Sequence, residues 1–324
     1  MEVPLLRTVL LALSRNQALR RGLEHSRWGR RLSRRFVAGR TLAAALSAAA
    51  QLNQEGFAVS LDPLGEHVSE LAQAHQAATD ACLALEAIER AGLRSHLSIK
   101  LSQLGWDLDT AVAAAELRRI VRRAAERKIL VRIDMESSVY TAATLAQVEQ
   151  LHAEGYPVGA VLQAYLYRTG ADLDRLLAAG IPVRLVKGAY REPPAVAWQR
   201  KRVVDDRYLG LMRRLLEAAA AACERHGPAP GHSASGVTLA AIASHDPRVL
   251  AAAVAHARRR ALPPACFEFQ MLYGIRRDLQ RRLRDEGWRV RVYLPFGPAW
   301  YPYFMRRLAE RPANILFLLK NLGH

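Results

Sequence analysis

The stretch Ile181-Pro-Val-Arg-Leu-Val-Lys-Gly-Ala-Tyr190 places two cations, Arg184 and Lys187, near the end of a short apolar run, directly before a glycine. Gly188 lets the backbone turn sharply or lie close to a ligand. Two cations beside a permissive backbone suit an anion, and a phosphate-bearing cofactor is the expected one. A second group lies near the C-terminus, where Tyr303, Arg306, Arg307 and Glu310 fall at i, i+3, i+4 and i+7 and share one helical face. Such a face is commonly a solvated stripe of ion pairs. Adjacent arginines beside a tyrosine also make a carboxylate clamp, because guanidinium forks bind carboxylates through paired hydrogen bonds.

The elements that position these residues repeat along the chain. Strand-like runs at 57–61, 96–101, 129–134, 158–165, 183–186, 237–243, 266–271 and 289–294 alternate with helical runs. The helices are expected near 65–90, 109–127, up to 153, up to 179, 197–225, 247–260, up to 286, and 299–322. Eight β-then-α units in one domain imply an α/β fold, a (β/α)8 barrel. Residues 1–55 read as an N-terminal helical arm, and 56–324 as the barrel. The Gly/Pro/Ser-rich insertion 227–236 reads as a flexible loop before the sixth strand.

Side chains alternate between the two faces of a strand. Leu97, Ile99 and Leu101 therefore oppose Ser98 and Lys100, and Val131 and Ile133 oppose Arg132 and Asp134. Phe267, Phe269 and Met271 oppose Cys266, Glu268 and Gln270; Val290, Val292 and Leu294 oppose Arg291 and Tyr293. The apolar set must face the helices, which turns the polar set into the barrel. Buried charges are costly unless paired or used by a ligand. Some of these charges are expected to satisfy one another, Arg132 with the neighbours of Asp134 or Glu268 with Arg291 for instance. Their number implies a polar ligand site at the barrel mouth.

Composition narrows the class further. The chain has 324 residues and a net charge of +17, carried mostly by arginines scattered in pairs and triplets. No aromatic platform is interleaved with them, which argues against a nucleic-acid partner and for solvated helix faces. A basic surface also favours an anionic membrane. Cys82, Cys223 and Cys266 lie far apart without metal-ligand spacing, so they are expected to be reduced apolar residues, with no metal bound. The apolar run 9–13 is too short to span a bilayer. The expected location is the cytoplasm, with a peripheral position at the inner face of the cell membrane open. An Arg-rich, acid-poor start also leaves a mitochondrial-type presequence open.

In combination, Leu-Ser-Ile-Lys100, Arg-Ile-Asp134, Leu-Gln163-Ala-Tyr, Arg184-Leu-Val-Lys-Gly-Ala-Tyr190, Ala-Ser-His245-Asp, Glu268-Phe-Gln-Met-Leu-Tyr-Gly and Tyr293-Leu-Pro-Phe-Gly, with Tyr303 and Arg306-Arg307, resemble the flavin-dependent proline dehydrogenases of the short bacterial, monofunctional type. The resemblance runs from about residue 57 to the C-terminus. It implies a distorted barrel whose last helix sits over the mouth. It also implies non-covalent FAD, oxidation of L-proline to 1-pyrroline-5-carboxylate as the first step of proline catabolism, and electrons passed to a membrane quinone.

Roles follow from the matched motifs. Lys100, Arg306 and Arg307 would bind the proline carboxylate. Leu272, Tyr293 and Tyr303 would shape the pocket around its ring. Arg184 would lie against the flavin N5 edge and stabilise negative charge on the reduced ring. Gln163 would hydrogen-bond that ring, and Asp134 would orient neighbours. Lys187, Gly188, Ala189, Tyr190, Ser244 and His245 would contact the rest of the cofactor. Glu66 would pair with the first arginine of the clamp and gate the site. Arg191 stands where an aromatic is common and Ser244 where threonine is usual. A Schiff-base aldolase using Lys187 or Lys100 is the rival enzyme reading, and a basic nucleic-acid-binding protein the rival non-enzyme reading.

Overall fold

The computed structural model describes residues 35–227 and 238–310, without the side chains of His226 and residues 306–310. The insertion at 227–236 falls almost wholly outside this range, as do most of the N-terminal arm and the chain after Glu310.

Eight strands form one closed, all-parallel barrel in sequence order. Helix α1 (Leu42–Gln54) precedes β1 (Ala58–Pro63). There follow α2 (Leu71–Arg90), β2 (Ser95–Ile99), α3 (Thr110–Glu126), β3 (Val131–Ile133), α4 (Ser138–Ala153) and β4 (Val158–Gln163). Next come α5 (Thr169–Ala178), β5 (Val183–Val186), α6 (Lys201–His226), β6 (Ala240–Ala243) and α7 (Pro247–Arg259). The chain then passes through β7 (Phe267–Leu272), α8 (Arg277–Asp285), β8 (Val290–Phe296) and α9 (Trp300–Glu310).

Local chemistry sets these boundaries. In α3, Ala113, Leu117, Ile120, Val121 and Ala124 form a buried stripe at helical spacing. Asp109 caps that helix by accepting from the backbone amides of Ala111 and Val112 at 2.8 and 3.0 Å. Helix α7 starts at a proline, and Asp246 caps it by accepting from the amide of Arg248. The α2 helix begins at Leu71, not near 65. Residues 65–70 instead form the loop leaving β1, which carries Glu66 and holds His67 at a φ of 56°.

Strand parity holds. Val59, Leu61, Leu97, Ile99, Val131, Ile133, Phe267, Phe269, Val290 and Val292 join the core between barrel and helices. The opposite faces bury Ser60, Asp62, Ser98, Lys100, Arg132, Asp134, Arg184, Glu268, Gln270 and Arg291 inside the barrel. Helix α1 adds Ala45, Ala49 and Leu52 to that same core. Residues 36 and 37 pack instead with Leu64, Ile275 and α9 in a second apolar cluster.

Small inward residues let long ones cross the barrel. Gly159 is the register partner of Arg132. A Cβ at Gly159 would lie 2.9 Å from the Arg132 guanidinium. Without it, Arg132 reaches past β4 and donates to the carbonyls of Ala160 and Pro182 at 3.1 and 2.9 Å. Burial, with Arg184 nearby, pushes its pKa down to about 9.

The cysteines are not all reduced. Cys223 of α6 and Cys266 form a disulfide with a Cα–Cα distance of 5.8 Å, and only Cys82 of the three is free, on the buried face of α2. Parity had placed Cys266 with Glu268, facing inward. It lies instead in the 3-10 turn Pro264–Cys266, where strand alternation does not apply. The two sulfurs are 43 residues apart, and only the packing of α6 against that turn brings them together. The support that reduced cysteines gave to a cytoplasmic location therefore falls away. Closing a loop of this length contributes about 4 kcal/mol in the chain-entropy account. Cys223→Ser, or reduction of the wild type, is expected to lower the free energy of urea unfolding by up to that amount. An unchanged unfolding midpoint would show that the bridge is not formed in solution.

Candidate active site

The polar residues inside the barrel mouth form two connected groups. The first surrounds Lys100, just beyond the end of β2. Its ammonium donates to Asp62 Oδ1 at 2.7 Å, with Glu66 at 3.7 Å and Asp134 at 4.0 Å. All four side chains are largely buried. Burial works against the Lys100 ammonium, but three carboxylates outweigh it and raise the lysine's pKa. Burial raises the pKa of Asp62, and Asp134 and Glu66 add to that shift while Lys100 opposes it. The group is therefore an anion-rich pocket organised on one cation.

The second group surrounds Arg184 on β5. Its Nη1 donates to Asp134 Oδ1 at 2.6 Å, its Nη2 to Ser98 Oγ at 3.3 Å, and its Nε to Gln270 Oε1. Tyr293 donates its hydroxyl to the other Asp134 oxygen at 2.7 Å, and its ring centroid lies 5.1 Å from the Arg184 guanidinium carbon. Burial, with Asp134 beside it, pushes the Tyr293 phenol well above its usual pKa, so it stays a donor. Asp134 touches both groups and is the joint between them.

The ends of β4, β5 and β6 carry the remaining candidates. Gln163 donates to the Glu136 carbonyl at 2.9 Å and accepts from the amide of Ala189 at 3.3 Å. Lys187 is ion-paired to Asp205 of α6 and to Asp246 at 3.0 Å. Ser244 Oγ accepts from the amide of Asp246 at 3.1 Å. His245 Nε2 accepts from the amide of Leu272 at 2.8 Å, which puts the ring proton on Nδ1. Gly188 has a φ of 130°, and a Cβ there would lie 2.5 Å from the Tyr165 ring, so only glycine lets the loop pass that close. Tyr190 lies half-buried in the loop that follows.

This donor set suits a flavin dinucleotide. A guanidinium and a primary amide sit at the inner strand ends for a polar heteroaromatic ring. Beyond them the Ser244 hydroxyl and the His245 imidazole lie around the start of α7, with Lys187 held there by Asp205 and Asp246.

The structure thus gathers Lys100, Asp134, Arg184 and Tyr293, with Glu66 nearby. Leu272, at the end of β7, packs against the apolar cluster in which Tyr303 is buried with Phe36, Trp300 and Phe304. Arg306 and Arg307 lie on α9, but their side chains, and hence the clamp and its pairing with Glu66, fall outside the described residues.

Several residues of the site carried no role in the sequence reading. Asp62 lies on the inward face of β1, but the apolar run ended at Leu61 and the strand continues to Pro63. Gln270 stood in a quoted motif without a function. Glu136 accepts from both the amide and the hydroxyl of Ser102, bracing the loops after β2 and β3. Asp205 approaches Lys187 from a helix, and nothing in the spacing foretells that.

Comparison with known proteins agrees with this geometry. Residues 45–319 match the family model described as proline dehydrogenase. The chain is 39% identical to proline dehydrogenase 1 of Bacillus subtilis over 98% of this chain and 99% of that one. It is 38% identical to proline dehydrogenase of Deinococcus radiodurans over 90% of each. Among solved structures, proline utilization A from Bdellovibrio bacteriovorus superposes with a TM-score of 0.74 at 25% identity. That match covers 86% of this chain and 32% of the larger one, so the chain spans about a third of that protein. A closed barrel with buried charges at its mouth, near-full-length relatives and a family model spanning the barrel agree, and the chain belongs to the proline dehydrogenase family, oxidoreductases of proline catabolism.

Proposed function

We propose that the chain oxidises L-proline to 1-pyrroline-5-carboxylate with non-covalent FAD as the first electron acceptor and a membrane quinone as the next. The observation that carries this reading is the pair of buried cations, Lys100 and Arg184, held 4.0 and 2.6 Å from a shared Asp134 at the mouth of the barrel. Lys100, with Arg306 and Arg307 of α9, binds the substrate carboxylate, where charge-assisted hydrogen bonds are strongest. Leu272, Tyr293 and Tyr303 enclose the apolar ring of proline. Glu66 closes the site over the carboxylate.

Bound FAD supplies the two-electron acceptor for hydride from the ring carbon beside nitrogen. Arg184 and Gln163 hold the reactive ring. Lys187, Gly188, Ala189, Tyr190, Ser244 and His245 hold the remainder of the cofactor. Asp134 fixes Arg184 and Tyr293 in one arrangement, so the site is oriented before substrate enters. The amine proton of proline leaves to solvent. The net charge of +17 favours a peripheral position on an anionic leaflet. Among the described residues no helix is long and apolar enough to cross a membrane.

A Schiff-base aldolase fits less well. Its lysine must lose a proton, whereas three carboxylates hold the proton on Lys100. Lys187 is engaged by two carboxylates. The test is direct. Purified protein is expected to be yellow, and anaerobic L-proline is expected to bleach it. A colourless protein that borohydride traps with a carbonyl substrate would instead establish the aldolase.

A further inference from the structure

The charges inside the barrel form a chain that runs up from its lower half to the mouth. At its lower end Arg291 donates through Nε to Glu268 Oε1 and Oε2 at 2.9 and 3.1 Å, and through Nη1 to the Val59 carbonyl at 2.8 Å. Both side chains are buried, and although burial opposes it, Arg291 holds Glu268 below the usual carboxylate range. Glu268 therefore carries a negative charge at neutral pH. Directly above it on the same strand, Gln270 donates its Nε2 to Glu268 Oε1 and accepts from Arg184 Nε through Oε1. Arg184 completes the chain on Asp134, whose second oxygen is taken by Tyr293.

The amide has only one workable orientation. Rotated by half a turn, it would set its NH2 against Arg184 Nε–H and its carbonyl against the Glu268 carboxylate. Room for the contact comes from β6. Ala241 is the register partner of both Arg184 on β5 and Glu268 on β7, and Ala243 is the partner of Gln270. These two alanines let Arg184 cross a whole strand to reach Gln270. The chain thus alternates an ion pair, a neutral amide and a second ion pair. A carboxylate at 270 would place a second anion against Arg184 and cancel the cation that faces the mouth.

We propose that Gln270 is a positioning residue for Arg184, whose neutral amide aims the guanidinium and separates it from Glu268, so that its positive charge acts on the ligand at the mouth. The inference rests on the flavin reading above. It assigns a function to the buried amide that joins Arg184 to Glu268. Position 270 faces Arg184 from β5, Glu268 from its own strand, Arg291 from β8 and, beyond Arg184, Asp134 just past the end of β3 and the Tyr293 of β8 that binds it. From β6 it faces only alanine.

The test uses the flavin-loaded enzyme, with the flavin midpoint potential measured by dye equilibration across neutral pH alongside the rate of anaerobic bleaching by L-proline. In Gln270→Glu, a protonated carboxyl at the acid end donates to Glu268 as the amide does, and potential and rate should match wild type. As pH rises that carboxyl ionises, the potential should fall below that of wild type at the same pH and bleaching should become about tenfold or more slower than wild type, through a titration that wild type lacks. The exchange Glu268→Gln with Gln270→Glu keeps the total charge and a hydrogen-bonded chain from Arg291 to Arg184. It should show the lowered potential at every pH, and it decides the question if the single variant does not fold. A folded, yellow variant of either kind whose potential tracks wild type throughout overturns the inference. A wild-type protein that binds no flavin, or is not bleached by L-proline, overturns the flavin reading and this inference with it.

Discussion

Arg184→Met is expected to retain flavin weakly and to slow its reduction by L-proline about 10²- to 10³-fold, the usual cost of removing one preorganised electrostatic partner. The loss has two parts. The cation facing the mouth disappears, and Asp134, Gln270 and Ser98 lose a shared donor. Removing one partner of a buried ion pair typically costs about 3–5 kcal/mol of stability, because the remaining charge stays desolvated. A lower melting temperature should therefore accompany the kinetic defect. Arg184→Lys separates the two. A lysine keeps the charge but cannot address three acceptors with a planar fork, so it should recover much of the stability and only part of the rate. Anaerobic stopped-flow reduction, with flavin content measured on the same samples, reads both. Reduction of Arg184→Met at the wild-type rate would remove Arg184 from the site.

Lys100→Met is expected to raise the KM for proline about 100-fold while leaving flavin bound, since a charge-assisted hydrogen bond to a carboxylate is worth about 1.5–3 kcal/mol. It should also destabilise the fold, because Asp62, Glu66 and Asp134 would lose the ammonium that holds them together. The double variant Lys100→Met with Asp62→Asn tells the two effects apart. Deleting both members of a buried pair is far cheaper than deleting one, so stability should largely return while KM stays high. If KM returned as well, the effect of Lys100 on substrate would be indirect and the carboxylate contact would be wrong. Steady-state kinetics and urea unfolding on the three proteins settle it.

Much of this molecule was legible in its sequence. Eight alternations of strand and helix, together with two-residue parity, led to a closed parallel barrel and to Lys100, Asp134, Arg184 and Tyr293 pointing inward. Burial follows from that periodicity alone, because a strand sandwiched between a barrel interior and a helical layer has no solvent face. The pairing of Glu268 with Arg291 was legible too, whereas Arg132, expected to pair with the neighbours of Asp134, donates instead to the carbonyls of Ala160 and Pro182.

Other features were not legible. Asp62 escaped because a strand end is set by the register of its neighbours, and β8 holds β1 in register two residues beyond its last apolar position. The disulfide escaped because Cys266 lies in a turn, where alternation says nothing of direction. Gln270 stood in a recognisable motif, but its partner Arg184 is 86 residues away and reaches it across an alanine of a third strand.

Within the strands whose ends it delimited, sequence alone determined which residues face the interior, because side-chain alternation is a local property of the backbone. Which charge meets which was decided only by the tertiary structure. Barrel register, the small residues that let an arginine cross a strand, and the low dielectric that makes each pairing matter arise when all eight strands close. The two cations of the opening stretch show the difference. Arg184 and Lys187 are three residues apart on one strand end, yet one is bound to Asp134 and Gln270 inside the barrel and the other to Asp205 and Asp246 outside it.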